Sequence, residues 1–182
     1  MKPDVTVFTD ASLSHHNKSC GYGFWAKGDG RPAVHGGGPF QAFHGCIEVN
    51  ELKALANAMS ALSADQYFSA SDKVILLQSD SVPALACLLQ FDSSIQINSH
   101  KASAEIKPQR KPMKKIHRRI SALIVETAAQ HNLELTLRHV RGHQKGDGRN
   151  YVNRLCDKLA KAGRKQFELD REARKLEGQS FS

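Results

Sequence analysis

The first third of the chain alternates apolar and polar positions in the period-two pattern of β-strands. Residues 5–12 are rich in β-branched side chains, and we expect this strand to end on the carboxylate of Asp10. Two further strands are predicted at residues 20–27 and 31–36, joined by the glycine-rich turn at residues 28–30. Short turns between neighbouring strands predict an antiparallel three-stranded meander.

Helical spacing of apolar residues dominates the rest of the chain. Further elements are predicted at residues 47–62 (helix), 73–80 (buried strand), 82–89 (helix), 113–127 (helix), 133–140 (strand) and around Val152–Ala162 (helix). Residues 36–39, Gly-Gly-Gly-Pro, are expected to terminate the third strand. This order predicts an α/β fold with a five-stranded mixed sheet, a meander plus two parallel strands, flanked by helices.

The composition favours a protein that binds an anionic partner. The formal net charge is +8, and 40% of the residues are hydrophobic, which is enough for a core. No apolar run approaches transmembrane length, and the first residues lack the apolar centre of a signal peptide. The four scattered cysteines form no CxxC pair and predict buried thiols in a reducing cytosol, not a zinc site or a disulfide framework. We therefore expect a cytoplasmic protein without a membrane partner.

Four carboxylates lie where this fold would gather them. Asp10 and Asp80 end strands that we expect to be adjacent and parallel, so that both lie at one edge of the sheet. Glu51, with Glu48 as a competitor one turn earlier, begins the helix before the second of these strands, and Asp157 lies early in the last helix. Converging acids repel one another unless cations neutralise them, and ligation by oxygen alone suits Mg²⁺ or Mn²⁺.

Each acid taken alone has a simpler interpretation. Asp10 can stop a strand, Glu51 can complement a helix dipole, and Asp80 or its neighbour can cap the next helix. Asp157 can pair with Lys161 one helical turn away. These interpretations are jointly improbable, because all four acids recur where one fold would bring them together.

Several short motifs resemble type 1 ribonuclease H. They occur in the order Thr9-Asp10-Ala11-Ser12, Gly21-Tyr22-Gly23, Asn50-Glu51-Leu52, Ser79-Asp80-Ser81, Val140-Arg141-Gly142-His143 and Cys156-Asp157-Lys158-Leu159-Ala160. The resemblance implies cleavage of the RNA strand of RNA–DNA hybrids with two Mg²⁺ ions, and products with 5′-phosphate and 3′-hydroxyl ends. It implies that Asp10, Glu51, Asp80 and Asp157 hold the metal. It assigns His143 to proton transfer or product release.

The resemblance also suggests where substrate binds. Ser12, Asn17 and Asn50 occupy regions that contact the minor groove in this family, where the RNA 2′-hydroxyl distinguishes a hybrid from DNA. Residues 91–119 match the position of a basic protrusion that some members use to grip the hybrid. Its lysines include Lys111, Lys114 and Lys115, and the alternative is a solvated charged loop before a helix. The segment lacks tryptophan, unlike that of the best-known members.

The sequence hypothesis is a metal-dependent endoribonuclease acting on RNA–DNA hybrids. Water attacks the phosphodiester in line, with one ion activating it and a second stabilising the departing oxygen. The alternatives are another nuclease of this fold, such as a structure-specific DNA endonuclease, and a non-catalytic module that binds hybrid or duplex. We expect a catalytic domain at residues 1–163, a charged helical extension at 164–182, no small-molecule cofactor and, by default, a monomer.

Overall fold

The computed structural model describes residues 2–99, 104–109, 111–141 and 148–179. Its strands are β1 (Val5–Ser14), β2 (Ser19–Gly28), β3 (Val34–Pro39), β4 (Val74–Ser79), β5 (Gln96–Ile97) and β6 (Glu134–His139). Its helices are α1 (Ile47–Ala64), α2 (Val82–Phe91), α3 (Lys115–Gln130) and α4 (Gly148–Gln179). The strands form one sheet in the order β3-β2-β1-β4-β6-β5. The antiparallel pairs are β1–β2 and β2–β3, and the other neighbours run parallel. The predicted α/β class is confirmed.

Helices cover both faces of the sheet. Phe24 and Ala26 of β2 belong to the main core, together with α1, α2 and α3. Gly21 and Gly23 alternate with them along the strand and lie against α4. Because successive residues of a strand point to opposite faces, α1 and α4 lie on opposite sides of β2. The layers are therefore α1–α3, the sheet, and α4.

Glycines allow α4 to approach the sheet at backbone distance. A Cβ at Gly21 would collide with the backbone around Gly163 and Arg164, and one at Gly23 would collide with the Cys156 carbonyl. Glycine at these two positions therefore lets α4 approach the backbone of β2 closely. On the helix itself, a Cβ at Gly163 would collide with the backbone of Gly38 in β3.

Two predicted strands had wrong boundaries, and the predicted number of strands was too low. β3 includes the Gly-Gly-Gly-Pro run that was expected to end it, because Gly37 and Gly38 keep pairing with β2 where α4 packs closely against them. β1 continues past Asp10 to Ser14, because it keeps pairing with β2 there. The sheet has a sixth strand, β5, whose two residues are too few to produce a periodic pattern.

The last helix continues well beyond Gly163. Glu168 Oε1 accepts hydrogen bonds from Ser19 Oγ at 2.5 Å and from Asn17 Nδ2 at 3.1 Å. Arg171 Nη1 donates to the Asn17 carbonyl at 2.6 Å. These contacts fix the turn between β1 and β2 against α4, while the division of the chain at residue 163 stays a prediction.

All four cysteines lie in the described residues and are free thiols, three of them buried. None of the helices in the described ranges combines the length and apolar character of a membrane span.

Candidate active site

Asp10 and Asp80 are placed by the parallel pairing of β1 and β4. The register pairs Phe8 with Gln78, and the same offset places Asp10 level with Asp80, just after β4 ends. The sequence suggested that Asp10 ends its strand, but Asp10 lies within β1. At Asp10, β1 no longer pairs with β4 but still pairs with β2. The backbone on the β4 side of the strand is therefore available to other hydrogen-bond partners.

Glu51 reaches this opening from α1. Its side chain is buried, and Oε1 accepts a hydrogen bond from the Ala11 backbone N–H at 3.1 Å. Its second oxygen, Oε2, is buried without a hydrogen-bond partner among the described residues. One carboxylate oxygen each of Asp10, Glu51 and Asp80 lie within 4.8 Å of one another. We call these three residues the acid cluster.

The acid cluster is electrostatically unfavourable without a cation. Burial, followed by the charges of Asp80 and Asp157, raises the pKa of Asp10 to about 7. Burial, followed by the charges of Asp10 and Asp80, raises the pKa of Glu51 well above its usual value. Oxygen-only ligands, an orphaned buried carboxylate oxygen and mutual repulsion together fit a hard divalent cation such as Mg²⁺ or Mn²⁺.

Asp157 lies near the acid cluster but is paired elsewhere. Its Oδ2 accepts a hydrogen bond from Lys161 Nζ at 2.7 Å, which is the helical pair that the sequence offered as the simpler interpretation. Its charge nevertheless contributes to the raised pKa of Asp10. The structure therefore brings three of the four predicted acids together and leaves the fourth beside them, so that a metal-binding role for Asp157 stays a prediction.

The geometry separates Glu51 from its competitor Glu48. Glu51 belongs to the acid cluster, whereas Glu48 contacts Cys87 and His117. The residue that caps the helix after β4 is Ser81, not Asp80. Ser81 is the N-cap of α2, and its Oγ accepts a hydrogen bond from the Ala84 N–H at 3.4 Å.

His143 lies outside the described residues, so its predicted role stays a prediction. Two residues that the sequence did not single out lie beside the acid cluster. His139 Nε2 is 3.0 Å from the Asp80 carbonyl oxygen, and the Cys156 thiol donates to the Phe8 carbonyl at 3.6 Å. The sequence could have indicated His139, because it lies near the end of a predicted strand. That strand, β6, pairs with β4, and Asp80 directly follows β4.

The predicted substrate-binding residues differ in exposure. Ser12 is partly exposed two residues beyond Asp10, on the same side of β1. Asn17 is partly exposed and hydrogen-bonded to α4. Asn50 is fully buried and donates to the His44 carbonyl at 2.8 Å, so that a contact with substrate would require the His44 loop to move. Lys111, Lys114 and Lys115 are exposed.

The fold and the acid cluster define a nuclease of the RNase H type. The RNase H family model matches residues 2–165, and the chain belongs to this family, with a type 1-like architecture. No curated protein matched the sequence.

Solved structures of the same fold confirm the architecture. The RNase H1 of Halobacterium salinarum is 18% identical with a TM-score of 0.58, and the match covers 87% of this chain and 96% of that one. LC11-RNase H1 in complex with an RNA/DNA hybrid is 13% identical with a TM-score of 0.60, covering 89% and 97%. The RNase H domain of prototype foamy virus is 20% identical with a TM-score of 0.60, covering 90% and 96%.

Proposed function

We propose that this protein is a divalent-metal-dependent endoribonuclease that hydrolyses the RNA strand of RNA–DNA hybrids and leaves 5′-phosphate and 3′-hydroxyl ends. The observation that carries the proposal is the acid cluster, with its buried and unpartnered Glu51 oxygen. A protein that only bound nucleic acid would gain nothing from concentrating uncompensated carboxylates against a polyanion.

Asp10, Glu51 and Asp80 are the residues that would hold Mg²⁺, and Asp157 would join them on leaving Lys161. Two such ions supply an activated water and charge stabilisation for the leaving oxygen. The residue types support this role, because carboxylates are the protein ligands that Mg²⁺ prefers.

The chain's own contacts preorganise the acid cluster. The Ala11 N–H holds Glu51 Oε1, so that Oε2 is directed away from that hydrogen bond. The Ser81 cap and the contact of His139 with the Asp80 carbonyl fix the turn that carries Asp80. Ligands held by such supporting contacts do not need to reorganise when substrate arrives. We assign His143 to proton transfer or product release.

Two parts of the surface support binding of a hybrid. Ser12 lies beside Asp10, where a hydroxyl can contact the minor groove and its 2′-hydroxyls. The exposed lysines Lys111, Lys114 and Lys115 supply positive charge for phosphates. Gln109, from the same segment, lies 3.4 Å from Glu48 in the first turn of α1, the helix that carries Glu51. This contact places the described residues around Gln109, within the segment 91–119 that we call the basic segment, beside the start of α1.

The deciding experiment compares substrates and metal. Labelled RNA–DNA hybrid, duplex DNA, duplex RNA and single-stranded RNA are incubated with the protein in Mg²⁺ and in EDTA. We expect Mg²⁺-dependent cleavage confined to the RNA strand of the hybrid. Cleavage of duplex DNA alone would identify the alternative, a DNA endonuclease of the same fold, and tight binding without cleavage would identify a binding module.

The remaining parts of the proposal concern the protein's setting. Four free thiols fit a reducing compartment, and we propose the cytosol. We also propose that the protein acts as a monomer on its hybrid substrate, which size-exclusion chromatography with light scattering would test.

A further inference from the structure

A second cluster of metal-ligating side chains lies among the three helices on one face of the sheet. Glu48 comes from α1, Cys87 from α2 and His117 from α3. Cys87 Sγ lies 3.4 Å from Glu48 Oε1, and His117 Nε2 lies 3.2 Å from the same oxygen. One ligand atom of each residue lies within 4.8 Å of the other two. We call these residues the mixed cluster.

His117 adds a second observation that points to a cation ligand in the mixed cluster. The residue is 6% exposed, and among the described residues its Nε2 has no hydrogen-bond partner, since the approach to Glu48 lacks hydrogen-bond geometry. Burying a polar atom without a hydrogen bond costs free energy. A metal ion bound at Nε2 would remove that cost.

Two of the three separations between the ligand atoms are compatible with a tetrahedral ion. In a tetrahedral zinc site, oxygen and nitrogen ligands about 2.1 Å from the metal are about 3.4 Å apart, and a thiolate and an oxygen are about 3.6 Å apart. The observed separations of 3.2 Å for nitrogen and oxygen and 3.4 Å for sulfur and oxygen are close to these values. The third separation, between the Cys87 sulfur and a ring nitrogen of His117, is at most 4.8 Å, and side-chain rotation would have to bring both atoms to the ion.

We propose that Glu48, Cys87 and His117 form a structural binding site for Zn²⁺, separate from the catalytic acids. A thiolate and an imidazole select zinc over Mg²⁺ and Mn²⁺, which prefer oxygen. Binding transfers the Cys87 thiol proton to water as the Zn–S bond forms. Glu48, whose side chain is 26% exposed, gives the ion a path from solvent.

The fourth ligand position is available to Gln109 or to water. Gln109 Nε2 lies 3.4 Å from Glu48 Oε1 and 3.9 Å from Cys87 Sγ. A half-turn of the amide exchanges its nitrogen and oxygen and presents Oε1 to the ion. Such a site would join α1, α2 and α3 to the basic segment, so that its main expected effect is on stability rather than on chemistry.

Cobalt substitution tests the site. Metal-free protein is titrated with Co²⁺ in excess Mg²⁺, which occupies the acid cluster, and the thiolate-to-cobalt charge-transfer absorption is recorded. We expect a band that saturates at one Co²⁺ per chain and disappears when Zn²⁺ is added. Zn²⁺ at about a hundredfold excess over its dissociation constant should raise Tm by about 5 °C.

Matched cysteine variants identify the sulfur. Cys87→Ser should abolish the band and the rise in Tm, as should His117→Gln, and circular dichroism of the metal-free variants checks their fold. Cys156→Ser is the control, because Cys156 is equally buried but lies beside Asp10. It should keep both effects. A wild-type protein without the band, a band that survives Cys87→Ser, or a band lost in Cys156→Ser would each overturn the proposal.

Discussion

The acid cluster and the mixed cluster begin three residues apart on one helix, yet they favour different ions. Glu51 meets two further carboxylates, whereas Glu48 meets a thiol and an imidazole. In the acid cluster, burial and then the charges of neighbouring carboxylates raise the pKa values of Asp10 and Glu51, and a hard cation would relieve the repulsion. In the mixed cluster the softer ligands would select zinc. Under the two proposals, the neighbours of each glutamate, not the glutamate itself, would therefore determine which metal it favours.

The largest expected effect is loss of cleavage in the acid cluster. Asp10→Asn removes a charged ligand while preserving shape, so that hybrid cleavage in Mg²⁺ should fall at least about a thousandfold. Binding of the hybrid should persist, because an amide repels phosphate less than a carboxylate does. The rate is measured with a labelled hybrid and binding by fluorescence anisotropy in Ca²⁺. Asp65→Asn, an exposed position at the end of α1, is the matched control. Near-normal turnover in Asp10→Asn would show that the assigned centre is wrong.

The two glutamates of α1 give the most direct comparison of the clusters. Glu51→Gln should lower hybrid cleavage by about a hundredfold or more, because it removes a ligand charge from the acid cluster. Glu48→Gln should keep cleavage within about threefold and weaken Co²⁺ binding to the mixed cluster. Cleavage rates and cobalt absorption are measured on the same two preparations. If Glu48→Gln abolished cleavage while Glu51→Gln spared it, the roles of the two residues would be reversed.

The mixed cluster also shows where sequence reasoning ends. The strand pattern, the helix over residues 47–62 and the acids of the acid cluster could be predicted, because hydrophobic periodicity and the short motifs around the acids are local signals. Cys87 and His117 lie in separate helices at no motif spacing, so that the scattered cysteines predicted no metal site. The position of β3 was mispredicted for a related reason: its glycines make room for Gly163, which is distant in the sequence.

Metal-free stability should respond to pH through the acid cluster. The folded-state pKa of Asp10 is about 7, against an ordinary value of 3.8 in the unfolded chain. Between these two pH values the folded protein therefore holds a proton on Asp10 that the unfolded chain has released. The resulting destabilisation is full above pH 7 and disappears as the pH falls toward 4. In EDTA at pH 8, Asp10→Asn should therefore raise the free energy of unfolding by about 1–3 kcal/mol.

Urea unfolding of wild type and Asp10→Asn at pH 8 and pH 5 measures this effect, and the gain from the substitution should shrink at pH 5. The difference in unfolding free energy between the two proteins cancels the contributions of groups with the opposite pH dependence. Glu168 is one such group, because hydrogen bonds from Ser19 and Asn17 lower its pKa. Asp65→Asn should show no such gain. A gain for Asp10→Asn that is equal at both pH values would exclude charge repulsion as its cause.

The smallest expected effect concerns the basic segment beside the mixed cluster. Replacing Lys111, Lys114 and Lys115 with alanine should raise KM for the hybrid about three- to tenfold at moderate salt and leave kcat nearly unchanged, because phosphate contacts position the substrate. The slope of log KM against log salt should fall by up to about 2–3, since each lost contact releases roughly one counterion fewer. Lys165, Lys175 and Arg174 on α4, replaced together, are the charge-matched control and should leave the slope unchanged. An unaltered salt dependence in the Lys111, Lys114 and Lys115 variant would identify the segment as a solvated loop. A changed slope with intact cobalt binding would show that hybrid binding and metal binding are separate properties of neighbouring residues.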